Sequence, residues 1–486
     1  MTSPATTHLD ARACHRALSA RDARFDGTFF VGVSTTGVYC RPICPARTPR
    51  ADRCRFFALA AEAEREGFRA CFRCRPELAP GAAPVDARSR LVVAALAAIE
   101  RGALERGGVE ALARRLGVTS RHLRRTLEGE LGVTPIELET TRRLAVAKQL
   151  LTDTTLPLTR VALGSGFGSV RRFHAAFATR FARRPGDVRR EHSARADRST
   201  ELVLRLDHRA PFDWAALLAF VSPRAIPGVE RALGGAYERA IRIDGEEGWI
   251  RAQPWPGRSA LRLSLSLSLA PHVAKIARAV RDLFDLDAHP DRIASALTTD
   301  PLLAPLVRAR PGLRVPGALD PFEIAVRSVL AQQVSLAAAT TLSGRLAQAL
   351  GRSVRTGLEG LDRAFPDAAA IAARTPAELA RVIGMPLARG RALHALAEAV
   401  TCGAIDLSGT RPSREVVAAL EKLPGIGPFT AEVIAMRALR DADAFPANDL
   451  VIARRLGKHA LSRAEAFRPY RAYAALHLWT DEGARR

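Results

Sequence analysis

Two cysteines close the stretch Phe29-Phe-Val-Gly-Val-Ser-Thr-Thr-Gly-Val-Tyr-Cys40-Arg-Pro-Ile-Cys44, and two more stand in Gly67-Phe-Arg-Ala-Cys71-Phe-Arg-Cys74. Two cysteine pairs with three and two intervening residues have the layout of a tetrahedral thiolate site. The sequence therefore predicts a small zinc domain in which Cys40, Cys44, Cys71 and Cys74 bind Zn²⁺. A zinc ion that only holds the domain together is the alternative to a chemical role. Cys14 and Cys54 lie outside both pairs, and we interpret them as ordinary buried thiols.

The charge of the chain is strongly positive. Its 486 residues include 73 Lys and Arg against 50 Asp and Glu, a formal net charge of +23. Such a field attracts polyanions, so the composition favours nucleic acid as a partner. We find neither an N-terminal apolar segment of the signal-peptide type nor an apolar run of about eighteen residues. We therefore expect no membrane span, a cytoplasmic location, and cysteines that serve as metal ligands or nucleophiles rather than disulfides.

The chain is longer than one ordinary domain, and breaks in its patterning indicate four modules. The segments 76–84, rich in Pro, and 191–201, polar without an apolar period, are interpreted as linkers. Alternating leucines at 202–206 and 261–269 predict half-buried strands, with helical stretches beside them. The predicted fold is a multidomain α+β chain: a zinc domain at 1–82, an all-α domain at 83–193, an α+β sheet domain at 202–315 and a second all-α domain at 316–486.

Two helix-turn-helix patterns lie in the first all-α domain, at 109–125 and 158–177. In the first pattern one helix ends at Gly117, Ser120 can cap the next helix, and arginines line that helix. Known proteins of this type place the second helix in the major groove of DNA. The arginines predicted to contact DNA are Arg121, Arg124, Arg171 and Arg172. A solvated helix face is the alternative for each of them.

The residues around the four cysteines closely resemble the N-terminal domain of the Ada alkylation-response family, from about residue 9 to residue 80. The resemblance implies that Cys40 irreversibly accepts a methyl group from a methylated DNA phosphotriester. Zinc keeps a bound sulfur deprotonated and nucleophilic at neutral pH. Methylation removes one negative charge from the site, which favours binding to DNA phosphates. The arginines close to the cysteines are candidate phosphate contacts: Arg41, Arg47, Arg69 and Arg73.

The paired helix-turn-helix patterns resemble those of AraC-type regulators. Gly166-Phe167 precedes Ser169-Val-Arg-Arg-Phe173, and Arg184-Pro185 follows. This resemblance implies binding to promoter DNA and activation of transcription, with RNA polymerase as a partner. Ada proteins usually carry a second active cysteine in a Pro-Cys-His-Arg word, whereas this chain has only Cys14-His-Arg. We therefore do not expect repair of O6-methylguanine.

The stretch Leu423-Pro-Gly-Ile-Gly-Pro-Phe-Thr-Ala-Glu432 is typical of a helix–hairpin–helix. Its glycines, Gly425 and Gly427, permit a tight turn whose backbone amides can hold a DNA phosphate. Asp449 follows in Phe445-Pro-Ala-Asn-Asp449-Leu-Val-Ile. The hairpin and the downstream aspartate together resemble the helix–hairpin–helix DNA glycosylases, and the match is closest to the AlkA family of alkylpurine glycosylases. That resemblance extends over about 202–483 and implies a TBP-like accessory sheet domain before the glycosylase domain.

The resemblance makes Asp449 the expected catalytic carboxylate. An N-alkylated purine such as 3-methyladenine is cationic and leaves readily, so a carboxylate that stabilises the oxocarbenium-like sugar and orients water suffices. A simple helix N-cap role is the alternative for Asp449. Phe429 stands where bifunctional relatives carry a lysine, so we expect monofunctional hydrolysis. Only Cys402 follows Cys74, so we expect no iron–sulfur cluster on C-terminal cysteines.

The same resemblance predicts a pocket for a base flipped out of the duplex. Its expected lining is Phe220, Phe429, Trp479 and Leu450, which can hold a cationic base against apolar and aromatic faces. Leu450 and Val433 occupy positions that are aromatic in the family, which leaves the substrate range open. Gln333 stands where AlkA inserts a leucine into the gap left by the flipped base. Core packing is the alternative for each aromatic residue.

These expectations combine in one function: repair of alkylation damage by a glycosylase fused to a phosphotriester-sensing transcription activator. The partner is double-stranded DNA, both alkylated DNA and promoter sites, and we expect a monomer. The main alternative is a transcription regulator whose C-terminal half binds DNA without catalysis.

Overall fold

The computed structural model of the protein describes residues 9–81, 90–104, 107–193, 201–457 and 460–484. It divides into two compact units. The first unit comprises Met1–Ala210 and Trp255–Arg278, and the second comprises Pro211–Pro254 and Ala279–Arg486. Helices and strands are both present, as expected for a multidomain α+β chain. Among the described residues, no helix is long and apolar enough to cross a membrane.

The cysteine-rich region of the first unit is built on a small sheet. Its strands are β1 (Phe30–Val33), β2 (Val38–Cys40), β3 (Cys54–Phe57) and β4 (Arg69–Ala70). The strand order is β3-β1-β2-β4, and only β2 and β4 pair in parallel. Helices α1 (Ala11–Ser19) and α2 (Ala60–Arg65) contact this sheet. Because β2 ends at Cys40 and β4 ends one residue before Cys71, their pairing brings the two cysteine pairs together.

In the described residues between the two sheets, the α-helices are α3 (Arg90–Glu100), α4 (Gly108–Arg115), α5 (Ser120–Leu131), α6 (Pro135–Asp153), α7 (Leu158–Gly164), α8 (Val170–Phe181) and α9 (Pro185–Ser193). On α8 the buried residues Phe173, Phe177 and Phe181 recur every fourth position, so they form one apolar face. The two predicted helix-turn-helix units are α4 with α5 and α7 with α8, and the long helix α6 lies between them in the chain.

A side-chain cap begins the second helix of each helix-turn-helix unit. Thr119 accepts a hydrogen bond from the backbone N of His122, and Ser169 accepts one from Arg172. The prediction that Ser120 caps α5 is therefore wrong by one residue. Thr119 has the extended backbone that an N-cap requires, whereas Ser120 is already the first helical residue.

The strands that follow among the described residues are β5 (Glu201–Asp207), β6 (Glu230–Leu233), β7 (Ala236–Ile243), β8 (Glu246–Pro254) and β9 (Ala260–Ser266). In the first unit, β5 and β9 pair antiparallel, with Leu206 opposite Leu261. In the second unit, β6, β7 and β8 form an antiparallel meander. Both predicted leucine strands are present, but the second ends at Ser266. Leu267–His272 form a 3₁₀ helix containing Pro271, which lacks the N–H that a strand ladder requires.

The two predicted linkers are only partly described. In the first, Pro76–Leu78 form a 3₁₀ helix in which Leu78 is buried, so interpreting these residues as a linker is wrong. Their buried apolar contacts outweigh the helix-breaking composition of the segment. Residues 82–84 lie outside the described residues. In the second, α9 continues to Ser193, residues 194–200 are not described, and β5 begins at Glu201.

The remaining helices are α10 (Trp214–Val221), α11 (Val273–Leu283), α12 (Pro290–Leu297), α13 (Leu303–Ala309), α14 (Pro321–Leu330), α15 (Leu336–Leu350), α16 (Ala368–Ala372), α17 (Pro376–Ile383), α18 (Leu387–Thr401), α19 (Ser413–Leu420), α20 (Pro428–Arg437), α21 (Leu450–Leu456), α22 (Ala460–Ala464) and α23 (Arg471–Ala484). Helix α14 is buried along most of its length and contacts α15, α18 and α20. It therefore forms part of the core against which the hairpin between α19 and α20 is held.

Candidate functional sites

The structure brings the four predicted metal ligands together. The sulfur atoms of Cys40, Cys44, Cys71 and Cys74 all lie within 4.8 Å of one another, and all four side chains are buried. A tetrahedral site with Zn–S bonds near 2.3 Å holds its sulfurs about 3.8 Å apart. Four soft thiolate donors at nearly this spacing therefore fit a zinc ion.

Backbone amides donate to two of the four sulfurs. The amide of Arg41 donates to Cys74 Sγ at 3.4 Å, and the amide of Arg73 donates to Cys71 Sγ at 3.3 Å. Among the described residues, no backbone amide is found to donate to Cys40 Sγ. A hydrogen-bond donor withdraws electron density from a thiolate and weakens it as a nucleophile. The sulfur of Cys40 is therefore a stronger nucleophile than the sulfurs of Cys71 and Cys74.

The cysteines outside the cluster differ from each other. Cys14 is buried, as predicted. Cys54 is only partly buried, and its thiol donates to the carbonyl O of Arg50 at 3.3 Å. The prediction of a buried thiol is therefore wrong for Cys54, which lies at the start of β3 beside an exposed turn.

Arg41 is not available to a DNA phosphate. Its side chain is 2% exposed, and it pairs with Asp26 and, at 2.9 Å, with Asp207. Burial lowers the pKa of Arg41, but the two carboxylates more than reverse this effect and hold the pKa above its usual value. The prediction of a phosphate contact is therefore wrong for Arg41. The other three arginines near the cysteines are exposed: Arg47, Arg69 and Arg73.

The predicted DNA-contacting arginines of the helix-turn-helix units are all exposed. Arg121 and Arg124 lie on α5, and Arg171 and Arg172 lie in the first turn of α8. Arg124 pairs with Glu110 at 2.9 Å, with about half of each side chain exposed. A surface pair of this kind contributes little, so it leaves Arg124 free to exchange its partner.

Asp449 is the N-cap of α21, and one of its oxygens is fully engaged. Oδ1 accepts hydrogen bonds from the backbone N of Val451 at 2.9 Å and of Ile452 at 3.1 Å. The indole Nε1 of Trp479 donates to the same oxygen at 3.0 Å. Oδ2 accepts no hydrogen bond from the described residues. The N-cap interpretation thus explains how the carboxylate is held and leaves its second oxygen open.

The predicted pocket residues do not all share one environment. Leu450, next to Asp449, is 76% exposed, and Phe429 at the start of α20 is 38% exposed. Trp479 joins Asp449 through its indole nitrogen. The ring of Phe220 is instead covered by guanidinium groups, with Arg224 3.8 Å and Arg437 5.2 Å from its centroid.

The hairpin between α19 and α20 has the tight turn that its glycines predict. Gly425 has φ of +76°, and a Cβ there would lie 3.0 Å from the Cβ of Ala392. Gly427 is the N-cap of α20 and has open space around it.

Gln333, the predicted inserting residue, is exposed and also has a positive φ, +58°. Gln332 is not among the residues predicted from the sequence, yet its side chain donates to the carbonyl O of Gly425 at 2.9 Å. The only feature of the sequence that could have indicated Gln332 is its position next to Gln333.

Four family models match successive parts of the chain. They are the metal-binding domain of Ada at 13–77, a helix-turn-helix domain at 112–191, the AlkA N-terminal domain at 203–320 and the HhH-GPD superfamily of base excision DNA repair proteins at 326–475. The class is thus defined: an Ada-type metal-binding and helix-turn-helix half joined to an AlkA-type base excision repair half.

The relatives narrow this class to a family. The "Probable bifunctional transcriptional activator/DNA repair enzyme AlkA" of Mycobacterium tuberculosis is 41% identical over 486 residues, with 97% of both chains covered. "DNA-3-methyladenine glycosylase 2" of Escherichia coli is 34% identical over 57% of this chain and 97% of that protein. A solved 3-methyladenine DNA-glycosylase from Archaeoglobus fulgidus matches 56% of this chain and 96% of its own, at 21% identity and a TM-score of 0.49. The chain belongs to the family of bifunctional transcriptional activator/DNA repair enzymes AlkA.

Proposed function

We propose that the protein is a monofunctional DNA glycosylase that hydrolyses the N-glycosidic bond of alkylated purines of the 3-methyladenine type. The carboxylate of Asp449 carries this proposal. Two backbone amides and the indole of Trp479 fix its Oδ1, while Oδ2 stays free of hydrogen bonds from the described residues. A carboxylate held in one orientation with one open oxygen is suited to act on a reacting sugar.

The chemistry follows from the charge of the substrate. An N-alkylated purine is cationic, so it takes the electron pair of the broken C1′–N bond and leaves as a neutral base. Positive charge then develops on the sugar, where Asp449 stabilises it electrostatically. Water adds to C1′ and gives its proton to the carboxylate or to bulk water. Phe429 supplies no amine for a Schiff base, so the reaction ends at an abasic site.

Apolar surface beside Asp449 supports binding of a flipped base. Leu450, next to Asp449 in the chain, is 76% exposed, and Trp479 lies within hydrogen-bond distance of the carboxylate. Phe429 at the start of α20 is 38% exposed and remains a proposed pocket residue. Such surfaces hold a base outside the stack. Phe220 remains a proposed pocket residue, with Arg224 and Arg437 over its ring. Gly425 and Gly427 are the proposed phosphate contacts, and Gln333 is the proposed inserting residue.

The Asp449→Asn variant tests the proposal. Asparagine is also a good N-cap, so the fold of α21 is retained while the negative charge is lost. We expect release of 3-methyladenine from alkylated duplex DNA to fall by at least about a hundredfold. Asp367→Asn is the matched control, because Asp367 is the N-cap of α16, where it accepts from the backbone N of Ala370 at 2.8 Å. No release by the unaltered protein, or undiminished release by Asp449→Asn, would overturn the proposal.

We propose further that the four cysteines bind Zn²⁺ and that Cys40 accepts a methyl group from a DNA methyl phosphotriester. In this step an S–CH₃ bond forms, the CH₃–O bond breaks, and the phosphate leaves as a diester anion. The family match at 13–77 and the absence of an amide donor to Cys40 Sγ among the described residues support the proposal. Arg47, Arg69 and Arg73 are the proposed phosphate contacts.

Mass spectrometry of the protein after incubation with phosphotriester-bearing DNA tests the sensor. We expect one added methyl group on the peptide that contains Cys40 and none on the peptide that contains Cys71 and Cys74. Methylation of another cysteine would overturn the assignment to Cys40, and the absence of methylation would leave the metal with a purely structural role.

The helix-turn-helix units complete the proposal. Arg121, Arg124, Arg171 and Arg172 are the proposed contacts to promoter DNA, and all four are exposed. We propose activation of transcription through RNA polymerase, by a monomer that works in the cytoplasm.

A further inference from the structure

Gln332 connects the segment before α15 with the hairpin before α20. Its Nε2 donates to the carbonyl O of Gly425 at 2.9 Å and to Thr430 Oγ1 at 2.8 Å. Gly425 forms the tight turn of the hairpin, and Thr430 is buried in the first turn of α20. One side chain thus spans both sides of the proposed phosphate-binding turn.

Arg389 on α18 holds the other end of Gln332. Its guanidinium donates to Gln332 Oε1, to the carbonyl O of Gln332 at 2.9 Å and to that of Val329 at 2.9 Å. The side-chain amide of Gln332 is therefore engaged at both its oxygen and its nitrogen. Gln333 follows directly in the chain, exposed and in the strained left-handed region.

We propose that Gln332 is a positioning residue that fixes Gln333 relative to the phosphate-binding hairpin. The hairpin that binds the DNA backbone and the residue that fills the gap left by the flipped base are then held in a fixed relative position. This inference rests on the proposed glycosylase function and adds a determinant of base flipping. Rigid support matters because small displacements of a positioned group cost large factors in rate.

Gln332→Glu and the Thr430 pair test this inference in the full chain. Glutamate keeps the acceptor for Arg389 but loses both donations from Nε2. Thr430→Val loses the acceptor at constant volume, and Thr430→Ser retains it as the matched control. Insertion is followed by the fluorescence of 2-aminopurine next to an abasic-site analogue, which requires no catalysis. Single-turnover release of 3-methyladenine is measured separately on duplex and on single-stranded DNA.

We expect Gln332→Glu and Thr430→Val to reduce the fluorescence change and to slow release from duplex at least tenfold. Release from single strands should stay within twofold, and Thr430→Ser should resemble the unaltered protein. Equal slowing on both substrates would overturn the inference, because Gln332 would then support the chemical step. An unchanged fluorescence response would also overturn it. A normal fluorescence response with no base release by the unaltered protein would instead overturn the glycosylase proposal.

A separate observation concerns Arg41, which touches the cysteine cluster and strand β5 at once. Its amide donates to Cys74 Sγ at 3.4 Å, and its Nη1 donates to the carbonyl O of Cys74 at 3.2 Å. The same Nη1 donates to Asp207 Oδ2 at 2.9 Å. Arg41 is 2% exposed and Asp207 is 3% exposed, so the pair is shielded from water.

Asp207 belongs to the part of the chain matched by the AlkA N-terminal model, and Arg41 to the part matched by the Ada model. Asp207 ends β5 and lies opposite Ala260 of β9. Two residues further on, Arg209 donates to the carbonyl O of Asp26 at 3.0 Å and of Gly81 at 3.0 Å. Within the first unit, the Ada-type part and this strand pair therefore meet through buried polar contacts.

We infer that Arg41 transmits the state of the four-cysteine site to β5 and β9. Loss of the metal frees Cys74 to move, and Arg41 follows because two of its donors are bound to Cys74. Its buried pairing with Asp207 then weakens. The sensor half and the first strands of the repair half are thereby coupled through Arg41.

Hydrogen exchange of the full chain, with its metal and after chelation, tests this coupling. We expect chelation to accelerate exchange in 201–207 and 260–266 at least tenfold in the unaltered protein. In Arg41→Met and in the milder Asp207→Asn, exchange there should be fast already and change less than twofold on chelation. Arg55→Met is the control, because Arg55 pairs with Glu66 on the surface of the same small sheet. Protection of β5 that survives chelation in the unaltered protein would overturn the inference, as would a full chelation effect in Arg41→Met.

Discussion

At the scale of the residue, Asp449 combines two roles that appear as alternatives in the sequence. An aspartate before an apolar helical stretch predicts an N-cap, and the structure has that cap. The same hydrogen bonds hold one oxygen still and leave the other open. The hydrogen bond from Trp479 could not be predicted, because nothing in a sequence pattern states that two residues thirty positions apart meet.

Replacing Trp479 with Phe removes the donor to Asp449 and keeps an aromatic ring. We expect kcat for release of 3-methyladenine to fall about tenfold, since one hydrogen bond to a charged group is worth about 1.5 kcal/mol or more. KM should change little if the indole serves mainly to hold the carboxylate. Steady-state kinetics provide the measurement.

The matched control for this substitution is Trp214→Phe. Trp214 Nε1 donates to the carbonyl O of Gly235 at 2.8 Å, so the change again deletes one indole donor. An increase in KM with unchanged kcat in Trp479→Phe would contradict a positioning role and leave only base stacking.

The role of Arg41 could not be predicted from the residues next to it in the sequence. Its position beside Cys40 suggests a phosphate contact, whereas its partner Asp207 is 166 residues away. An exposed arginine and one that neutralises two buried carboxylates look alike in a sequence. Its pairing with Asp26 and the packing of β5 against the cysteine-rich region distinguish Arg41 from Arg47, Arg69 and Arg73.

At the scale of the element, α6 attaches the helix-turn-helix region to the cysteine-rich region. Lys148 on α6 is fully buried, and its Nζ donates to the carbonyl O of Cys71 at 2.8 Å and pairs with Glu77 at 2.8 Å. At the end of α6, Asp153 pairs with Arg75 at 2.6 Å. Nothing in the sequence of α6 indicates that its lysine is buried.

The Lys148→Met variant should be strongly destabilised. Methionine fills a similar volume but leaves Glu77 and the carbonyl of Cys71 without this donor, which costs about 3 kcal/mol of unfolding free energy. Denaturant unfolding of the full chain measures the loss. Lys422→Met, at an exposed lysine, is the control and should change stability little. A loss below about 1 kcal/mol would show that the buried pair contributes little.

The ion pair between Lys148 and Glu77 predicts that the protein loses stability at acidic pH. Burial raises the pKa of Glu77, but Lys148 and Arg75 more than reverse this, so its pKa is lower than in the unfolded chain. A carboxyl group of this kind stabilises the fold above its unfolded pKa, and this contribution is lost as the pH falls through the lowered pKa. We expect stability to decline below about pH 4. The decline should be shallower in Glu77→Gln, and an identical acid limb would contradict the assignment.

The strands were the most predictable elements. The leucine alternation at 202–206 and 261–266 reflects a buried face, and a buried face imposes period two. The end of β9 at Ser266 could not be derived from that alternation, because Leu267 continues it and yet is exposed in a 3₁₀ helix. Thr119 rather than Ser120 is the N-cap of α5 because Thr119 has the extended backbone conformation. The sequence does not distinguish the two residues, since threonine and serine can both cap a helix.

At the scale of the whole molecule, the order of modules was evident from short, specific stretches of sequence. The cysteine pairs, the paired helix-turn-helix patterns and the hairpin with Asp449 each match a family model in the expected order. The compact units follow a different division, since β5 and β9 belong to the first unit and β6, β7 and β8 to the second. Contacts between residues far apart in the chain, such as Arg41 and Asp207, lie within the first unit and leave no trace in the local sequence.

The most direct test of the account follows one isotopic label through both proposed activities. Duplex DNA methylated with labelled methyl groups, carrying alkylated purines and phosphotriesters, is incubated with the full chain, and the label is measured in free bases, protein and DNA. We predict label in released 3-methyladenine and on the peptide that contains Cys40. The released fraction should disappear in Asp449→Asn, while the label on the protein remains. Label that stays entirely in the DNA with the unaltered protein would contradict the account.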